Sequence, residues 1–136
     1  MLFRSSFSNI TAVGSGALSK NTVNNNTAIG TFALYNNTTG TPNTAVGYQA
    51  LTGNTIGTQG VAIGYQSLFT NTTGIGNVAI GANALYSNTY GGVNIAIGSF
   101  ASGYIEAALY ANTTGFYNVA VGSGRSEEHT SELQSH

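Results

Sequence analysis

Charge is what this chain has least of. Only 5% of its residues are charged, against roughly 25% in an ordinary soluble domain. Aspartate is absent. A net charge of −1 leaves no basic footprint for nucleic acid and no polybasic patch for a membrane surface. There is no cysteine, so no disulfide framework or thiolate site can form, which fits an extracellular or virion protein held by hydrogen bonds but fixes no compartment. No apolar run approaches the ~18 residues of a membrane span, so direct membrane insertion by this segment is not expected. Met1-Leu2-Phe3-Arg4 lacks the apolar region of a signal peptide. A secreted protein would then carry its targeting segment outside this chain or use another export route.

The same scarcity removes most chemistry. Before the last twelve residues the only charged side chains are Arg4, Lys20 and Glu106, and there is no histidine. No base is available to a nucleophile, and no carboxylate pair can do acid–base work. An enzyme, a cofactor site and a metal site are therefore not expected. Calcium-binding nonapeptide repeats need an aspartate in each turn. Gly74-Ile75-Gly76 is followed by no Gly-Lys-(Ser/Thr), so it is not expected to cradle a phosphate.

Glycine, asparagine and threonine fill the space, and they recur in order. Ala-(Val/Ile)-Gly stands at Ala12, Ala28, Ala45, Ala62, Ala79, Ala96 and Ala120. The alanines step by 16, then 17 four times, then 24. A fixed period near 17 predicts an all-β fold, a parallel β-solenoid or β-roll of about seven ~17-residue turns. Each turn reads as a short strand x-Ala-(Val/Ile), a glycine corner (Gly30, Gly47, Gly64, Gly81, Gly98), then Ala-Leu and an Asn-Thr-x-Gly turn. Leu34, Leu51, Leu68 and Leu85 form one predicted column, and Asn37, Asn54, Asn71 and Asn88 another. Glycine and Asn-Thr interrupt any helical period. In a strand such as Val78-Ala79-Ile80 the branched residues face one way and Ala79 the other. Stacked at the ~4.8 Å strand spacing, the asparagine amides can hydrogen-bond from turn to turn.

Residues 1–8 are expected to be a lead-in or partial turn, and 9–124 the repeat domain. The last long step places a seven-residue insertion at Ser99–Ile105. Insertions in solenoids map to loops on one face. Phe100, Tyr104 and Ile105 are the candidate contact residues; the alternative is a tolerated bulge with no role. Arg125–His136 has no repeat register. It resembles a translated sequencing-adapter oligonucleotide, and the true protein is then expected to continue with further turns. The alternative is a charged C-terminal tail.

Val46-Gly47-Tyr48-Gln49-Ala50-Leu51 fits the hexad of left-handed β-helix acyltransferases, but one hexad per turn and no catalytic histidine argue against that enzyme. The Asn-x-Ala-(Val/Ile)-Gly motif, best seen at Asn77–Gly81 and Asn94–Gly98, resembles the head repeat of YadA-like trimeric autotransporter adhesins. The resemblance runs from Asn9 to Gly122. It implies a left-handed parallel β-roll, a homotrimer, and display on the bacterial cell surface at the outer membrane. The implied partner is a host matrix protein, a glycan or a cell-surface receptor. The period departs from about 14 residues in that family. The added Leu-Tyr-x-Asn-Thr-Thr-Gly segment looks more like repeats of phage tail fibres, which implies a virion tail as the alternative location.

A trimer also follows from burial. One Val or Ile and one Leu per turn offer little apolar area against the cost of ordering a whole turn. If the Val/Ile columns line one face of the strand and the alanines the other, both faces need cover, one inside the roll and one against neighbouring chains. The expected function is a non-enzymatic adhesive or structural repeat domain of a trimeric adhesin. The alternatives are a tail-fibre segment and an ice-binding solenoid that uses its threonine column. Asn-x-Thr sequons at Asn9, Asn25, Asn36, Asn37, Asn71 and Asn112 matter only in a glycosylating host.

Overall fold

A computed structural model describes residues 8–100 and 106–125. Each repeat contributes one short strand: β1 (Thr11–Val13), β2 (Asn26–Ile29), β3 (Asn43–Val46), β4 (Gly60–Ile63), β5 (Val78–Ile80), β6 (Ile95–Ile97) and β7 (Val119–Val121). They form one parallel sheet in sequence order. Alanine sits on alanine at every pairing, from Ala12 on Ala28 to Ala96 on Ala120. The period seen in the sequence is thus the length of one coil, and the chain is a β-solenoid.

Strand alternation decides which side is the core. Ala28, Ala45, Ala62, Ala79 and Ala96 are fully buried. The branched residues on either side of them point outward. Across the roll, Leu34, Leu51, Leu68, Leu85 and Leu109 are fully buried and face the alanines. The core is therefore a thin seam of small residue against leucine, repeated at every rung.

The backbone between strand and leucine is not extended. Gly47 turns the corner at φ 136°. A Cβ there would lie 2.5 Å from the carbonyl oxygen of Gly64 on the next rung, so only glycine fits. Positive φ does not stop at glycine. Leu18, Leu34, Leu51, Leu68, Leu85 and Leu109 all lie between 49° and 53°. Hydrogen-bond direction accounts for this. Gly47 and Gln49 donate to Ile29 and Thr31 of the rung below, while Leu51 and Gly53 donate to Ser67 and Phe69 of the rung above. Reversing the N–H direction within a few residues needs alternating backbone handedness, and the ladder on both sides holds the left-handed residues in place.

Asparagine closes each coil. Asn37, Asn54, Asn71 and Asn88 are buried. Asn54 Nδ2 donates to Asn37 Oδ1 at 2.7 Å, Asn71 to Asn54 at 3.0 Å, Asn88 to Asn71 at 2.9 Å and Asn112 to Asn88 at 2.9 Å. The second amide hydrogen of each goes to the glycine carbonyl three residues on. No buried side-chain polar atom among the described residues lacks a partner. A polar interior is stable only when satisfied in this way.

The insertion is bracketed differently by the rungs on its two sides. Phe100 N donates to Ala82 O as Asn83 N donates to Tyr65 O. Ala108 N then returns to Gly98 O as Ala84 N returns to Gly81 O. Toward the rung below, Ser99 and Phe100 thus stand where Ala82 and Asn83 do. Toward the rung above, Gly124 N donates to Glu106 O at 2.7 Å, so Glu106 and Ala107 take those same places and the seven extra residues fall at 99–105, as expected. Residues 101–105, with Tyr104 and Ile105, lie outside the described residues.

Candidate contact surface

The coil exposes three kinds of surface. The outer face of the sheet carries Val13, Ile29, Val46, Ile63, Ile80, Ile97 and Val121 in one column. A second column runs Thr11, Thr27, Thr44, Val61, Val78, Ile95 and Val119 in register. From β4 onward both columns are apolar and branched. Ile63 is 40% exposed and Ile97 38%. This is a continuous apolar strip on the outside of a protein that has few charges to break it.

The second surface follows the glycine corner. Tyr48 and Tyr65 stack at 5.6 Å between centroids and are tilted by 10°. Phe69, Tyr86 and Tyr110 stack at 5.1 and 5.2 Å. Rings repeated at the rung spacing have little choice but to stack, which adds cross-rung attraction. Beside them Gln66 Nε2 donates to Gln49 Oε1 at 2.7 Å, and Asn83 Nδ2 to Gln66 Oε1 at 3.4 Å. Lys20 bonds Asn36 Oδ1 at 2.8 Å and lies over the Tyr35 ring at 5.1 Å.

The third surface is the threonine corner. Thr38, Thr55, Thr72 and Thr89 each donate their hydroxyl to the backbone carbonyl of the threonine stacked above. These hydroxyl hydrogens are used inside the ladder.

Of the three expected contact residues, only Phe100 is described. It is 49% exposed and continues the row of Gln49, Gln66 and Asn83. Tyr104 and Ile105 lie outside the described residues. Glu106, Ala107 and Ala108 rejoin the coil: Glu106 O accepts from Gly124 N at 2.7 Å, and both alanines are buried. Alternation separates the Val/Ile face from the alanine face without saying which packs inward. The structure buries the alanines and turns Val and Ile outward, so the apolar burial of one Val or Ile per turn does not occur in the single chain. The Tyr48–Tyr65 pair and the amide row were not foreseen; aligning positions 48 and 49 with their partners one period away is the signal that finds them.

Arg125 O accepts from Leu109 N at 2.8 Å, where Ala84 O accepts from Leu68 and Ala50 O from Leu34. An arginine thus stands in a column otherwise held by Ala33, Ala50, Ser67, Ala84 and Ala108, all buried. It is the first residue whose size and charge break the column. Among the described residues no three metal-ligating side chains come together. No described helix is long and apolar enough to cross a membrane.

The geometry defines the class: an all-parallel β-solenoid with a small-residue core, an asparagine spine and an uncovered apolar sheet face. No family model, curated protein or solved structure matches the chain.

Proposed function

We propose that this chain is a non-enzymatic segment of a surface-exposed homotrimeric fibre that presents a repeated adhesive face. The observation that carries the reading is the outer sheet face. Branched apolar side chains on Ile63, Val78, Ile80, Ile95 and Ile97 form an unbroken strip that is left in water in the single chain. Three copies packed around an axis along these strips cover that face in each chain and leave the aromatic side and the threonine corner outward. Adhesion then comes from many weak contacts repeated along each chain and multiplied by three. The partner class is a host matrix protein, a glycan or a cell-surface receptor. The same architecture serves a bacterial surface adhesin or a phage tail fibre. The ice-binding alternative loses support because the threonine hydroxyls donate within the ladder.

The test is the mass of the purified chain by analytical ultracentrifugation. A mass of three chains is expected, falling to one chain in the Ile80→Lys, Ile97→Lys double variant. A wild-type mass of one chain with cooperative unfolding overturns the proposal. Binding of the trimer to cells or matrix, lost on dissociation, tests the adhesive half.

A further inference from the structure

The position that opens each strand runs Asn26, Asn43, Gly60, Asn77, Asn94 and Asn118 in register. One member of this second asparagine column is a glycine. At the other rungs the side chain has two duties. Its Oδ1 accepts the backbone N–H stacked above: Asn43 N to Asn26 at 2.8 Å, Gly60 N to Asn43 at 2.8 Å, Asn94 N to Asn77 at 3.0 Å and Asn118 N to Asn94 at 3.0 Å. Its Nδ2 donates across the coil to a glycine carbonyl: Asn26 to Gly40 and Asn43 to Gly57 at 2.9 Å, Asn77 to Gly91 and Asn94 to Gly115 at 2.7 Å.

Gly60 can do neither. The N–H of Asn77, stacked above it, finds no acceptor among the described residues. The carbonyl of Gly74, the counterpart of Gly57 and Gly91, is left with Asn71 Nδ2 alone at 3.2 Å. Both groups are buried, Asn77 at 1% exposure. The rungs have not closed over the difference. Val61 N still meets Asn77 O at 2.9 Å, as Val78 N meets Asn94 O at 2.8 Å. A Cβ on Gly60 would lie 3.0 Å from Asn43 Oδ1 and 3.4 Å from the nearest Leu51 methyl, so the space beside it is polar on one side and apolar on the other.

We infer that one water molecule binds inside the roll at the Gly60 rung and takes over the duties of the side chain that glycine lacks. It accepts from Asn77 N–H and donates to Gly74 O and to the second lone pair of Asn43 Oδ1. The chemistry selects water over an ion. A cation has nothing to offer the inward N–H, and an anion is repelled by two carbonyl oxygens. Internal waters make about three such bonds, and an asparagine amide occupies more room than the ~30 Å³ share of one water. The proposal stands on the asparagine column alone and is independent of the assembly.

A high-resolution crystal structure of the full chain tests it. A water oxygen within hydrogen-bond distance of Asn77 N and Gly74 O is expected. In Gly60→Asn that water gives way to the new amide, which bonds the same two groups. Exchange of the Asn77 amide hydrogen slows about tenfold, since a covalently held acceptor replaces an exchangeable one. Absence of the water from wild-type density, with Leu51 or a protein acceptor occupying the position, overturns the inference. So does an Asn77 amide whose exchange is the same in both proteins.

Discussion

Asn71→Ala is the sharpest test of what ties one rung to the next. Asn71 Nδ2 donates to Asn54 Oδ1 at 3.0 Å and to Gly74 O at 3.2 Å, and its Oδ1 accepts from Asn88 Nδ2 at 2.9 Å. Truncation strands the buried acceptor Asn54 Oδ1 and takes from Gly74 O its one protein donor, leaving that carbonyl to the internal water. Asn88 Nδ2 keeps its bond to Gly91 O at 2.9 Å, so the donor side loses less. The stranded group costs about 1–3 kcal/mol and the lost bond to Gly74 O about 1 kcal/mol, so the sum is about 2–4 kcal/mol. Water entering the amide-lined gap recovers part of that, which places the expected loss at about 2 kcal/mol. Thr39→Ala, at an exposed position one residue beyond the threonine ladder, is the control and is expected within about 0.5 kcal/mol of wild type. The assay is equilibrium unfolding in urea at one fixed protein concentration, because assembly shifts apparent stability by mass action. A loss for Asn71→Ala no larger than for Thr39→Ala would falsify the view that the amide spine, rather than the alanine–leucine seam alone, holds the coils in register.

Two further outcomes follow from geometry already described. Gly47→Ala places a methyl 2.5 Å from Gly64 O at φ 136°, and a loss of about 2–4 kcal/mol is expected in thermal unfolding, with no loss meaning the corner can relax. In a glycosylating host the exposed sequons Asn9 and Asn25 are expected to carry glycan on the folded secreted protein, while buried Asn37, Asn71 and Asn112 stay bare; peptide mapping by mass spectrometry that finds glycan on the buried set contradicts the placement of the spine.

Much of the coil was legible because its information is a period. Ala45, Val46 and Gly47 declare a strand with two unlike faces and a corner, and their recurrence declares the stack. The amide spine was legible for the same reason: Asn37, Asn54, Asn71 and Asn88 can only stack if the coil is parallel and in register. The left-handed leucines were not. Chirality makes positive φ the expectation for glycine, and nothing about Leu51 as a residue type announces that its N–H must point up while that of Gln49 points down. Nor does the sequence show that the two ends of the insertion share one place: Phe100 N bonds the rung below as Asn83 does, while Glu106 O takes the bond from the rung above. Gly60 looked like one more glycine in a glycine-rich chain; its meaning appears when it is set between Asn43 and Asn77.

The spine has a consequence for how such a molecule changes over generations. Apart from the Gly60 rung, the rungs present to their neighbours the same amides, carbonyl and leucine, so a rung removed or duplicated whole leaves two matching surfaces that rejoin without a seam. A residue gained or lost inside a strand shifts an amide against an alanine and breaks the column, whereas the steps of 16 and 24 are absorbed in turns with the columns intact. Unequal recombination between repeats is therefore tolerated in units of one coil. Reach becomes a heritable quantity adjusted in increments of about 4.8 Å, while the cross-section stays constant.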